Sequence, residues 1–326
     1  MGTAQLQHCK VCDLPDFQDP ELRELIRDVY RWDLEHFGSE FPTGREVRKH
    51  WEVAMTLRSF RHLGVLREDA QVLGVGAGRE ATLFWLTQKV GKVVATDLYE
   101  TEDIWSATGD AGTSMLTDPG QFWDGPWDPK RLEVRHMNGL DLEFEDESFD
   151  GIFSSSSIEH FGGWRQVRRS IEEMFRVLRP GGVAALATEF RIEGDTMGMP
   201  GALMFNEAEA RALLMDGLWW DPATPFDSTI SAEAVASAVP FEEAIADGRK
   251  AVRYWSRYPH VVLRAGRLAW TSMHVAMVKS GGTAAEWRRT RPQRPGRPRG
   301  ARMPRPTLRQ RAGGLVARWR TPRPVR

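Results

Sequence analysis

Only two cysteines, Cys9 and Cys12, occur in 326 residues. That is too few for a disulfide framework, so a reducing cytoplasm is the expected compartment. No stretch approaches the ~18–20 consecutive apolar residues that a membrane span requires. The first residues, MGTAQLQHCKVCDLPD, lack the charged start and apolar run of a signal peptide, so an exported protein is not expected either. There is no internal repeat, which excludes a repeat array. Lysine is missing from the last 41 residues, where one glutamate stands against 14 arginines, a local charge of +13. Since the whole chain carries −1, residues 1–285 carry −14. An acidic body is a poor partner for nucleic acid, so any contact with it is expected only through the tail.

What is present is ordinary soluble composition, with 41% hydrophobic and 27% charged residues. Residues 1–18 read as an N-terminal extension. Within it Cys9 and Cys12 have zinc-knuckle spacing, but a structural zinc needs four ligands and no second pair exists. No metal is therefore expected, and the terminus reads as frayed. Residues 19–66 read as a helical cap of two helices. Asp19-Pro20 supplies a cap and a first-turn proline, and Leu22, Leu25, Ile26 and Val29 repeat at helical spacing. Thr43 and Glu46 have capping-box spacing ahead of the Val47, Trp51, Ala54 and Met55 stripe.

From residue 67 the period changes. Short apolar strands at 70–75, 92–96, 132–135, 151–155 and 183–188 alternate with helices at 81–89 and 165–178. That alternation predicts a doubly wound, mostly parallel α/β sheet. Residues 261–264 and 270–278 fit a terminal antiparallel hairpin on it. The domain is expected to run over 67–280, with an insertion at 190–258. Residues 281–326 read as a disordered Arg/Pro-rich tail, since such a composition cannot bury a core.

Gly76-Ala77-Gly78-Arg79-Glu80-Ala81 matches G-x-G-x-x-G/A, and Asp97 closes the next strand about 20 residues on. Glycines let a backbone approach a ligand closely, and the acid accepts hydrogen bonds from ribose hydroxyls. The pattern alone does not separate a nicotinamide enzyme from a methyltransferase. Three further blocks do: Phe144-Glu145-Asp146-Glu147-Ser148-Phe149-Asp150, then Ile158-Glu159-His160, then Arg176-Val177-Leu178-Arg179-Pro180-Gly181-Gly182. In that order they resemble the class I S-adenosylmethionine-dependent methyltransferases of the methyltransferase-11-like type, with small-molecule and sugar-modifying members. The resemblance covers residues 70–189 and implies a Rossmann-like, seven-stranded sheet.

The resemblance also implies site roles. S-adenosyl-L-methionine would be the cofactor. Gly76 and Gly78 would shape the loop around its methionine portion and ribose, and Asp97 would hold the ribose hydroxyls. Leu98 and Tyr99 would pack near adenine; Asn138, with Gly139, would take the place of an adenine-reading aspartate. Ser154 and Ser155 would lie beneath the sulfonium. Family members carry an acid where this chain has Gly74 and a third glycine where it has Glu80. Glu80 either replaces the lost acid or merely favours the helix dipole.

For chemistry, His160 is the candidate general base, because methyl transfer to a hydroxyl requires removal of a proton. Its other reading is a residue that caps or packs the following turn. Glu159 would orient His160 or bind acceptor, and Glu189 faces the crevice mouth; Arg191 and His274 are weaker candidates. Trp51, Trp85, Trp164, Trp219 and Trp220 could supply one or two pocket walls. The expected function is O-methylation of a small acceptor, a sugar or secondary metabolite. The alternatives are an RNA or protein methyltransferase guided by the tail, or a non-catalytic S-adenosylmethionine-binding partner.

Overall fold

The computed structural model describes residues 6–99, 113–249, 255–290 and 302–303. It opens with β1 (Lys10–Val11), α1 (Pro20–Val29), α2 (Arg31–Phe37) and α3 (Arg48–His62). Alternation follows: β2 (Gln71–Val75), α4 (Ala81–Leu86), β3 (Lys92–Asp97), α5 (Ser114–Thr117), β4 (Leu132–His136), β5 (Phe149–Ser155), α6 (Trp164–Val177) and β6 (Leu178–Glu193). The insertion holds α7 (Glu207–Ala210), β7 (Trp220–Pro222), α8 (Ala232–Ala236), β8 (Val239–Pro240) and α9 (Phe241–Arg249). The described chain ends on β9 (Leu263–Ala265), β10 (Leu268–Lys279) and α10 (Ala284–Thr290).

The strands form one sheet in the order β4-β3-β2-β5-β6-β10-β9-β8, with β1 and β7 also paired to β10. Strands β4, β3, β2, β5 and β6 are mutually parallel, and β10 runs antiparallel to β6. This is the doubly wound α/β arrangement expected, with more strands than seven because four short ones gather around β10. β2 and β5 are buried almost throughout, which is why they read as unbroken apolar runs. One apolar core joins α6 and the β7 region to the sheet, and a second lies beneath α1, α3 and α4. The winding direction switches between the adjacent strands β2 and β5, so a crevice opens where these two strands end.

The N-terminus is not frayed. Lys10 pairs with His274 and Val11 with Met273, so β1 covers part of the free edge of β10. Cys9 and Cys12 are buried free thiols, and burial pushes both above the usual thiol range. The cap contains three helices rather than two. Asp19 caps α1 through Leu22 N, as its spacing predicts, but the Thr43/Glu46 box does not form. Glu46 instead accepts from Gly44 N (2.8 Å), and α3 is capped from a distance, by Arg48 N donating to His260 O (3.0 Å). The capping partner lies more than 200 residues away in sequence, so local spacing could not reveal it.

The tail boundary expected at 281 also moves. Trp287 in α10 is 3% exposed, packed on Phe175 with ring centroids 5.2 Å apart. Ala284 N donates to Glu147 (2.7 Å), and Met197 N donates to Arg302 O (2.7 Å). A single tryptophan amid arginines carries too weak a periodic signal to mark a docked helix. Trp287→Ala is expected to cost about 3 kcal/mol, the range for emptying an aromatic site. Thermal denaturation checks this, and an unchanged melting temperature would mean that α10 does not hold to the domain. The remainder of the Arg-rich segment lies outside the described residues.

Candidate active site

The glycine turn leaves β2 with Gly76 at φ +62° and Gly78 at φ +46°, a left-handed backbone that side chains resist. A Cβ on Gly76 would stand 2.6 Å from that of Ser157, so close approach also requires glycine there. Asp97 clasps the turn from the end of β3: one carboxylate oxygen accepts from Gly78 N (2.8 Å), the other from Leu98 N (2.6 Å). Ser157 Oγ donates to Gly76 O (2.5 Å) from the far side.

Some expected contacts have other partners. Tyr99 is 1% exposed and its hydroxyl donates to Gly78 O (2.9 Å), so it latches the turn instead of offering a face to adenine. Leu98 is exposed beside it. Ser154 is fully buried and donates to Val75 O (2.7 Å), tying β5 to β2. Asn138 Oδ1 accepts from Leu140 N (2.9 Å), which leaves its NH₂ to meet a ligand. Gly139 lies against Val75 and Phe161. Gly74 is buried against Ala77 and Phe153, with no room for a side chain.

The first turn of α3 enters the crevice with residues that sequence reasoning missed. Arg48 Nη1 donates to both Glu189 oxygens (2.8 and 2.7 Å) and to Ser272 (2.9 Å), and lies 3.5 Å from Glu52. Lys49 Nζ lies 3.1 Å from Glu52 and 3.5 Å from Glu189, and also contacts Ser156. Burial alone would raise the Glu189 carboxyl, but Arg48 and Lys49 outweigh it and hold it below the usual range. Glu189 is therefore an ionised anchor for the cap rather than a free crevice acid.

Glu159 is a further carboxyl beside this cluster. It is fully buried, and Thr188 Oγ1 donates to its Oε2 (2.6 Å). Burial first, then the charge of Glu189, push it up to about 8, so it holds its proton at neutral pH. The folded protein thus keeps a proton that the unfolded chain releases above the ordinary 4.5. Its contribution to stability is complete below that pH, declines as pH rises from 4.5 to about 8, and changes little beyond. Glu159→Gln cannot titrate, so its melting temperature should fall less than the parent's between pH 6 and 8. Parallel falls measured across that range would contradict the assignment.

His160 stands next to it, with Nε2 3.8 Å from Glu159 Oε1. Its Nδ1 lies 2.7 Å from Gly201 O, and a carbonyl can only accept, so Nδ1 carries the hydrogen. The neutral ring then has its basic lone pair on Nε2.

Arg191 and His274 are structural. Arg191 pairs with Glu209 at 2.9 Å, and His274 Nδ1 donates to His8 O at 2.7 Å inside the sheet. Burial drives the His274 imidazole down to about 3. Trp51, Trp85 and Trp220 are buried, with indole N–H groups on Asp16, Asp28 and Met215 O respectively. Trp164 and Trp219 are partly buried against the core. A cavity of about 590 Å³ lies at the other end of α3, by His8, His62 and Thr224, so volume alone does not mark the crevice.

The residues present suit a cationic, ribose-bearing ligand. Glu80 and the Ser155 hydroxyl meet where α4 begins and β5 ends, and Asp97 closes β3 at the glycine turn. A model for a methyltransferase domain matches residues 73–186. A Mycolicibacterium smegmatis protein named "Probable S-adenosylmethionine-dependent methyltransferase" is 42% identical over 62 residues, 19% of this chain and 23% of its own length. Methyltransferase GfsG of Streptomyces halstedii is 28% identical over 177 residues, 54% of this chain and 57% of its own. The chain thus spans less than two thirds of either relative. Among solved structures, a methyltransferase of Aquifex aeolicus is 19% identical with a TM-score of 0.39, covering 68% of this chain and 88% of that one. Geranyl diphosphate methyltransferase is 15% identical with a TM-score of 0.42, covering 86% and 100%.

Proposed function

We propose that the chain, whose residues 73–186 match a methyltransferase-domain model, is a class I S-adenosylmethionine-dependent methyltransferase that transfers the cofactor's methyl group to a hydroxyl of a small molecule, a sugar or secondary metabolite. The bound cofactor would supply an electrophilic methyl on a sulfonium. The observation that carries the oxygen-acceptor reading is His160, whose Nδ1 is held by Gly201 O so that Nε2 is the basic nitrogen. As the methyl arrives, Nε2 takes the acceptor's hydroxyl proton. Protonated Glu159 adds no negative charge beside it, and its Oε2 already accepts from Thr188. Asp97 holds the ribose hydroxyls, and the clasped glycine turn fixes where the methyl is presented.

The charge distribution supports a small acceptor over nucleic acid, because residues 1–285 are strongly acidic. The helical cap reaches the crevice where Lys49 meets Ser156, and the insertion reaches it where Gly201 O meets His160, and such a cover suits an acceptor that is enclosed. Among the described residues no helix is long and apolar enough to cross a membrane. With two buried free thiols, a cytoplasmic site of action fits best.

S-adenosylmethionine and S-adenosylhomocysteine are expected to raise the melting temperature, while NAD and NADP leave it unchanged, because only a ligand of the native state stabilises it. Asp97→Ala should remove most of that rise. A rise with NAD, or an undiminished rise in Asp97→Ala, would count against the cofactor assignment.

A further inference from the structure

The carbonyl that orients His160 sits at the tip of a loop. Met199-Pro200-Gly201-Ala202 closes a tight turn, with Ala202 N donating to Met199 O (3.0 Å) and Met199 N to Ala202 O (2.9 Å). Pro200 and Gly201, the latter at φ +91°, are the residues that a type II turn takes at its two central positions. Gly201 O lies 2.7 Å from His160 Nδ1. The turn stands on a second backbone rung, where Met204 N donates to Met197 O (3.2 Å), and Leu203 N ties it to Glu159 O (3.0 Å).

A third rung comes from the C-terminal segment. Met197 N donates to Arg302 O (2.7 Å), so this fully buried residue is bonded to the loop through its carbonyl and to the segment through its N–H. Met303 packs against the apolar core, its Cε 3.8 Å from where a Cβ on Gly163 would stand, at the start of α6. The same segment is fixed at the other end of α6 by Trp287 on Phe175. A backbone bond to a buried residue and an apolar side chain seated on the core are not the contacts of a solvated polycation. The Arg302–Asp195 pair (3.4 Å) is exposed on both sides and contributes little to holding the segment.

We propose that residues 302–303 are a positioning element for His160. By bonding Met197 and seating Met303 at the start of α6, they keep the 195–204 loop where Gly201 O holds the hydrogen on Nδ1 and leaves Nε2 to act. This rests on the reading of His160 as the general base.

Three variants and two measurements test this. Met303→Asp, in the full chain, puts a charge into the apolar seat. A chain ending at Gly300 lacks both residues, and one ending at Arg305 keeps them while losing the arginines beyond. Nitrogen-15 spectra of the histidine rings at about pH 8, where an ordinary imidazole is neutral, identify the His160 tautomer, assigned by its loss in His160→Ala. The parent and the chain ending at Arg305 should carry the hydrogen on Nδ1; the other two should show it exchanging between both nitrogens. Transfer of labelled methyl from S-adenosylmethionine to the low-mass fraction of a cell extract should fall about tenfold or more in those two, within what a positioned base contributes. The same changes made on His160→Ala should lower transfer less than about twofold, because the residue they act through is gone. Affinity for S-adenosylhomocysteine should stay within about threefold in every variant. An unchanged tautomer in the chain ending at Gly300, equal losses with and without His160, or lost transfer in the chain ending at Arg305 would each overturn the proposal. Loss of S-adenosylhomocysteine binding alongside transfer would make the segment a strut of the fold and overturn it too. A released tautomer with undiminished transfer would instead remove His160 as the base, and the proposal with it.

Discussion

Replacing Arg48 with methionine is expected to destabilise the protein by about 3–5 kcal/mol, the usual result of removing one partner from a buried ionic cluster. Arg48 is 6% exposed and its Nη1 alone meets Glu189, Ser272 and Glu52. Without it only Lys49 remains as a cation beside the buried Glu189 and Glu52 side chains. The same contact joins the first turn of α3 to β6 and β10, so the cap loosens along with the charge balance. Because all of these contacts converge on one nitrogen, Arg48→Lys should recover most of the loss through a single ammonium. Urea denaturation of the three proteins measures the difference. A methionine variant as stable as the parent would mean that the cluster contributes nothing to holding the cap.

His160→Ala is expected to lower turnover at least about a hundredfold, within the range assigned to a positioned general base. Its affinity for S-adenosylhomocysteine should stay within about threefold, since none of the bonds that hold the glycine turn passes through the imidazole. The separation of the two effects is what distinguishes a base from a packing residue. A residue that merely caps the Phe161 turn would disturb both, because Phe161 lies against Gly76 and Gly139. Raising the pH should restore part of the lost rate where the acceptor hydroxyl ionises unaided. Near-native turnover in His160→Ala would assign the proton to solvent, leaving desolvation of an already reactive acceptor as the remaining contribution.

The parallel strands and the glycine turn are legible in the sequence because each depends on local pattern. β2, β3 and β5 are short apolar runs, and the turn declares itself through Gly76, Gly78 and Asp97. Glu159 and His160 are legible by motif, although not the burial and the neighbouring Glu189 charge that keep Glu159 protonated. Arg48, Lys49 and Glu52 are not legible at all. On the sequence they are ordinary charges on an amphipathic helix, and their meaning comes from Glu189, 141 residues beyond Arg48, and Ser272, 224 residues beyond it. β1 is hidden for the same reason, as two residues become a strand only because β10 offers a free edge. Tyr99 and Ser154 look ligand-facing from their positions. Which way a hydroxyl turns depends on the nearest unsatisfied carbonyl, here those of Gly78 and Val75, and no spacing encodes that.

The most direct test follows the methyl group itself. The protein would be incubated with methyl-labelled S-adenosylmethionine and a cell extract, and the label then partitioned among small molecules, RNA and protein. The account predicts label in molecules of low mass, lost with excess S-adenosylhomocysteine and reduced at least about a hundredfold in His160→Ala. Label in RNA or protein, or cofactor binding with no transfer to any fraction, would contradict it.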